Sequence, residues 1–340
     1  MNIRDIAKKA GVSSATVSRV INESGYVKEE TKQKVLAAIA ETNFVPNAIA
    51  RSLSINDTSS IGVIVPDIAN EFFSSIISGM GEMASTHQYN IVLFDTGQIQ
   101  EREHQCLQIA ERQRLSGLLI TPVSELDTET CDKLMQFENK GIPVVLVDRN
   151  IKDSNLDGVF VDNVKAAYEG TEALIKAGHK KIAMIKGPNT SMPGKERYKG
   201  YQAALRDYGV ELKREYAVSG DFKSMKAYEQ TKALLELPDP PTAIFASNNQ
   251  TSLGVLKYLT ENKLKIGRDL SIVGFDQIES LKIIDYRLST IERDAKKQGY
   301  EAMAMLIDKL SQKESKSTGK KIYVPYQVVL RGSEIIQAQR

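Results

Sequence analysis

Polar side chains stand just past a series of short apolar runs. Asp67 and Asn70 follow 61–65, Thr121 follows 117–120, and Asp148 and Arg149 follow 144–147. Asn248 and Asn249 follow 243–246, and Asp276 follows 271–275. Carboxylates accept hydrogen bonds, guanidinium groups donate them and amides do both. That mixture suits a small, hydroxyl-rich ligand. Phe72 and Phe73 add flat apolar faces on which a sugar ring can stack. A second set lies near the N-terminus, where Ser14, Ala15, Thr16 and Ser18 are small or polar and Arg19 can make a bidentate contact to a guanine edge. Catalytic signatures are missing. There is no P-loop, no glycine fingerprint after the first apolar run and no nucleophile elbow, so no enzyme is expected. His87, His104 and His179 lie apart, and Cys106 and Cys131 form no CxxC or Cys/His cluster. Neither a metal nor a cofactor is expected.

The elements that must position these groups differ along the chain. Ile3, Ile6, Ala7 and Ala10 recur at helical spacing, and Gly11 stops that helix. Ser13 can cap the next helix, whose inner face is Val17, Val20 and Ile21. That leaves 14–16, 18 and 19 pointing elsewhere. A third helix is expected over 29–42, with Val35, Ala38 and Ile39 inward. Pro46 and Asn47 then open a segment too short to be a stable helix by itself, because nucleation is costly. From Ile61 onward, apolar runs alternate with helical stretches, at 61–65, 91–94, 117–120, 144–147, 159–161, 182–185, 243–246 and 271–275. Continuous apolar strands between helices mean parallel sheets covered on both faces. The runs fall into two sets about Asp162, which predicts two doubly wound lobes with a cleft beyond the carboxyl ends of the strands.

Bulk properties narrow the setting. The 340 residues suffice for two or three domains, and a net charge of +2 rules out a general polyanion binder. Any nucleic-acid site must be local. In the head, Arg4, Lys8, Lys9, Arg19, Lys28, Lys32, Lys34 and Arg51 outweigh Asp5, Glu23, Glu29, Glu30 and Glu41 only mildly. Base and shape contacts must then supplement phosphate contacts. No apolar leader opens the chain and no apolar run reaches the ~18 residues that span a bilayer. A cytoplasmic, reduced protein is expected, with no membrane partner.

Val12-Ser13-x-x-Thr16-Val17-Ser18-Arg19, with Pro46-Asn47-x-x-Ala50-x-x-Leu53, resembles the lactose-repressor (LacI/GalR) family of bacterial transcription regulators. The resemblance covers nearly the whole chain. The cleft motifs Asn70-Glu71-Phe72-Phe73, Val147-Asp148-Arg149, 196–201, Asn248-Asn249 and Gly274-Phe275-Asp276 look most like those of ribose repressors and ribose-binding proteins. The resemblance implies an all-α helix-turn-helix head at 1–46 and a hinge segment at 47–58. It implies a two-lobed core like the periplasmic binding proteins, with one lobe from 59–161 and 291–322 and the other from 162–290 and 323–340.

By the same resemblance, Ser14, Ala15, Thr16, Ser18, Arg19 and Asn22, with Asn47 and Ala50, meet operator DNA, and Leu53 wedges into a central base step from the minor groove. The effector would meet Asn70, Phe72, Phe73, Thr121, Asp148, Arg149, Arg197, Asn248, Asp276 and Arg293. Relatives usually carry Gln at the position of Arg293, and Asp at that of Asn249. A third guanidinium in the pocket suits a sugar acid or sugar phosphate; neutralisation by Glu292 or Asp294 would leave a neutral pentose or hexose. The implied protein is a homodimeric repressor of a carbohydrate-utilisation operon, released from a pseudo-palindromic operator by its effector. Purine-type members bind DNA with a corepressor instead. The alternative is a carbon-catabolite regulator governed by a phosphorylated carrier protein. No leucine heptad follows 328–332, which favours a dimer over a tetramer.

Overall fold

Asn2 begins the head by accepting hydrogen bonds from the N–H groups of Arg4 and Asp5, while the Asp5 carboxylate accepts one from the Asn2 N–H. This capping box satisfies donors at the start of α1 (Ile3–Ala10). Gly11 ends the helix at φ 66°, a left-handed conformation that costs glycine nothing. The Ser13 hydroxyl accepts from the Thr16 N–H at 3.1 Å and starts α2 (Ser14–Ile21). With α3 (Glu29–Thr42), these helices bury Ile6, Ala7, Val17, Val20, Val35 and Ala38 in one small core. The computed structural model describes residues 2–21, 25–42, 59–312 and 316–335.

The larger unit begins at Ser59. Its first lobe alternates β1 (Ser60–Val65), α4 (Glu71–Thr86), β2 (Asn90–Asp95), α5 (Gln100–Arg112), β3 (Gly117–Ile120), α6 (Thr128–Asn139), β4 (Val144–Val147) and β5 (Asp157–Phe160). The second runs α7 (Asn163–Lys176), β6 (Ile182–Lys186), α8 (Met192–Asp207), β7 (Ala217–Ser219), α9 (Ser224–Leu235), β8 (Ala243–Ala246), α10 (Asn249–Glu261), β9 (Ser271–Phe275), α11 (Glu279–Ile283) and β10 (Ser289–Arg293). The chain then returns to the first lobe with α12 (Ala295–Ser311) and β11 (Lys321–Tyr323), and ends in the second with β12 (Tyr326–Val329). The sheet orders are β11-β5-β4-β3-β1-β2 and β12-β10-β9-β8-β6-β7. Pairing is parallel except between β10 and β12.

Two lobe crossings differ from the sequence expectation. Residues 291–293 remain in the second lobe, because β10 pairs with β9 and β12 as far as Arg293. Tyr323 remains in the first, paired with Phe160. The strand partner sets where each strand stops, and the apolar pattern of 289–291 carries no mark of it.

Two features of this frame aim the cleft. β4 and β9 hold equivalent places in their sheets, and the residue after each, Asp148 or Asp276, is left-handed at φ 64° and 69°. Aspartate tolerates that region better than most residues. Each donates its N–H to the neighbouring strand, Asp148 to the Val159 carbonyl and Asp276 to the Ile291 carbonyl, both at 2.9 Å. In addition, α4 and α12 touch backbone to backbone. A Cβ on Gly79 would lie 1.9 Å from the Lys296 carbonyl oxygen, and one on Gly299 would lie 1.9 Å from that of Ile76. The contact draws the start of α12, and Arg293 just before it, toward Phe72 at the start of α4.

Candidate effector cleft and nucleic-acid interface

Nine of the ten residues expected to meet an effector line one cavity between the lobes: Asn70, Phe72, Phe73, Asp148, Arg149, Arg197, Asn248, Asp276 and Arg293. Thr121 does not. It is buried at the end of β3, and its hydroxyl has no hydrogen-bond partner. Gln98, Pro193, Phe222 and Asn249 complete the lining. Gln98 and Phe222 belong to loops at positive φ, which no helix or strand periodicity reveals. Pro193 opens α8 and carries no polar signal.

Arg293 dominates the cavity. Its Nε donates to Asp276 at 2.8 Å, and its Nη1 to Asp148 at 2.5 Å and to Gln298 at 3.4 Å. The bond to Asp148 joins the lobes. Its guanidinium carbon lies 4.1 Å from the Phe72 ring centre. Neither sequence neighbour that could neutralise it is bonded to it. Glu292 pairs with Arg331 at 2.7 Å, and Asp294 caps α12 through the Lys297 N–H. Burial pushes the Asp148 carboxyl upward, but Arg293, Arg197 and Arg149 outweigh this and hold it below the ordinary carboxylate range. Burial pulls the Arg293 guanidinium down, and Asp276 and Asp148 more than reverse it. Removing one partner from a buried ion pair costs about 3–5 kcal/mol, so this triad is a strong constraint on the lobes.

The other donors are differently placed. Arg197 gives Nε to the Asn163 side chain at 2.9 Å and Nη1 to the Ser247 carbonyl at 2.6 Å, and stacks 3.5 Å from the Phe275 ring centre. Burial lowers it to about 10, against the pull of Asp276. Arg149 donates Nη1 to the Pro122 carbonyl at 3.2 Å and the Val123 carbonyl at 3.5 Å, while its buried Nε has no acceptor. Burial lowers Arg149 too, opposed by Asp148 and Glu103. Asn248 caps α10 by accepting from the Thr251 N–H at 2.8 Å. Asn249 donates 2.8 Å across the cleft to the Asn70 side chain. The residual cavity is about 20 Å³, room for roughly one water.

In the head, Ala15 and Arg19 are exposed on α2, and Ser14, Thr16 and Ser18 are half-buried. Ser13 and Thr16 join hydroxyls at 2.9 Å. An exposed Arg beside small side chains on a short helix can enter a major groove. Asn22, Asn47, Ala50, Leu53 and the 47–58 hinge lie outside the described residues.

A compact helical head and a two-lobed α/β core with a polar interlobe cleft define a DNA-binding regulator with a ligand-binding core. Comparison with known proteins agrees. Residues 2–47 match the family of bacterial regulatory proteins, lacI family, and residues 58–328 match the periplasmic binding proteins and sugar binding domain of LacI family. The chain belongs to the LacI family of transcriptional repressors. It is 33% identical to the HTH-type transcriptional repressor PurR of Mannheimia succiniciproducens, over 92% of this chain and 93% of that one. It is also 33% identical to the HTH-type transcriptional regulator RegA of Clostridium saccharobutylicum, with the same two coverages. The fold is similar to the lac repressor dimer bound to operator and an anti-inducer, at TM-score 0.84 and 27% identity over 98% of this chain and 99% of that one.

Proposed function

We propose that the protein represses a carbohydrate-utilisation operon as a homodimer on a pseudo-palindromic operator, and that a small sugar or sugar-derived effector in the interlobe cleft releases it. The observation that carries this reading is the convergence of Asp148 and Asp276, from equivalent strand ends of the two lobes, on one polar cavity. A ligand gripped by both carboxylates sets the angle between lobes. A dimer can pass that angle to its hinge segments, and so to two reading helices about one helical turn of DNA apart. Arg19 supplies the most specific base contact. A second copy of the chain suits α11, none of whose residues is buried, where Ile283 and the adjoining Ile284 are 81% and 67% exposed. No reaction is assigned to the cleft.

The test is an operator titration by fluorescence anisotropy with and without each sugar that stabilises the protein. The effector is expected to weaken operator binding by about 5–150-fold, and operator to weaken effector binding by the same factor. A bound sugar that leaves operator affinity unchanged sinks the mechanism. The small residual cavity favours one second reading, in which a phosphorylated carrier protein sets DNA binding. Under that reading the carrier protein changes operator affinity and no sugar does.

A further inference from the structure

The groups that would hold a polyol are already engaged within the chain. Arg293 takes a carboxylate oxygen from Asp276 and another from Asp148, and it covers the face of Phe72 on which a sugar ring would stack. The charged side chains lining the cavity are three guanidinium groups, Arg149, Arg197 and Arg293, against two carboxylates, Asp148 and Asp276. The lining therefore carries one positive charge in excess. Arg149 donates only to two main-chain carbonyls, and its buried Nε has no acceptor. Glu103 lies behind it, with its oxygens committed to the Val123 N–H and the Thr130 hydroxyl.

We infer that Arg293 makes this cleft selective for an effector carrying a carboxylate or phosphate, and closes it to neutral polyols. The inference rests on the cleft being the effector site. A neutral polyol reaches Asp148 and Asp276 only by parting them from Arg293, which leaves a buried guanidinium facing hydroxyls in place of carboxylates. An anionic group takes the place of Asp148 against Arg293 as the lobes separate. The same group offers Arg149 Nε the acceptor it lacks, in a charge-assisted geometry that suits a guanidinium fork. One ligand charge also brings the lining to neutrality.

The experiment is calorimetric titration of the full-length chain with matched probes. D-glucose is compared with D-glucuronate and D-glucose 6-phosphate, and D-ribose with D-ribose 5-phosphate. The two kinds of anion separate a carboxylate effector from a phosphate one. At least one anionic probe is expected to bind about 100-fold tighter than its neutral parent. Arg293→Gln is expected to reverse that order, and Arg293→Lys to keep the anion preference with lower affinity, which a merely structural role would not produce. The wild-type comparison stands by itself if either variant fails to fold. Equal affinity of the wild type for a neutral sugar and its anionic counterpart overturns the inference and leaves the cleft an effector site. Binding of none of these probes by the wild type overturns both.

Discussion

Asp148 ties the pH response of the cleft to one side chain. Its carboxyl is held below the ordinary range in the folded chain, so the unfolded chain binds its proton first as pH falls. The contribution to stability is full above about pH 4, the ordinary carboxylate value, and is lost as pH drops through the depressed one. At neutral pH Asp148→Asn is expected to cost about 3 kcal/mol, the low end for breaking a buried pair, because Asp276 still holds Arg293. Melting curves of wild type and variant should converge below the ordinary carboxylate range; a gap that stays constant from pH 7 to pH 3 would contradict this. In the head, Arg19 is exposed on α2, the proposed reading helix. Arg19→Ala is expected to cost about 1–3 kcal/mol of operator affinity and to relax the preference at one base pair. Equal weakening on every sequence would assign Arg19 to a phosphate.

Helix contacts set the geometry in which those residues meet. α4 and α12 approach so closely at Gly79 and Gly299 that neither position has room for a Cβ. Gly299→Val is therefore expected to push α12 off α4, at about 3 kcal/mol or more, the range of severe overpacking. The displacement should reach the cleft, since only Asp294 separates Arg293 from α12 and Arg293 leans on Phe72 at the start of α4. Urea unfolding gives the stability loss, and an altered wild-type ligand preference gives the effect on the cleft. A variant as stable as the wild type would show that the helices part without cost.

At the scale of the whole molecule, the proposed homodimer has two lobes and a head act through a pair of chains. Ile283→Asp is expected to shift the chain toward monomer in sedimentation, while its far-ultraviolet dichroism stays unchanged, because Ile283 has no place in the core. Operator affinity should fall as dimerisation is lost, since two half-sites then no longer bind as one unit. A dimer of undiminished strength would place the second copy on another surface.

Much of this was legible in the sequence, because local physics writes itself locally. The helical spacing of Ile6, Val17, Val20 and Val35, the glycine stop and the Ser13 cap outline the head. Continuous apolar runs such as 144–147 and 243–246 appear as the buried central strands they are, and the polar residues at their ends mark the cleft. Short outer strands such as β7, β11 and β12 left no such mark, because few of their side chains are buried and a sheet partner defines them. The lobe crossings at 293–295 and 323–326 depend on that same pairing. The fate of Arg293 lay further out of reach. Sequence neighbours offered Glu292 and Asp294 as its counterions, whereas its partners stand 17 and 145 positions away. Residue types and spacing determined that this chain has a DNA-reading head and a polar cleft between two lobes. Only the tertiary structure decided which charges meet in that cleft, because ion pairing depends on distance in space, and folding brings two remote strand ends to one guanidinium.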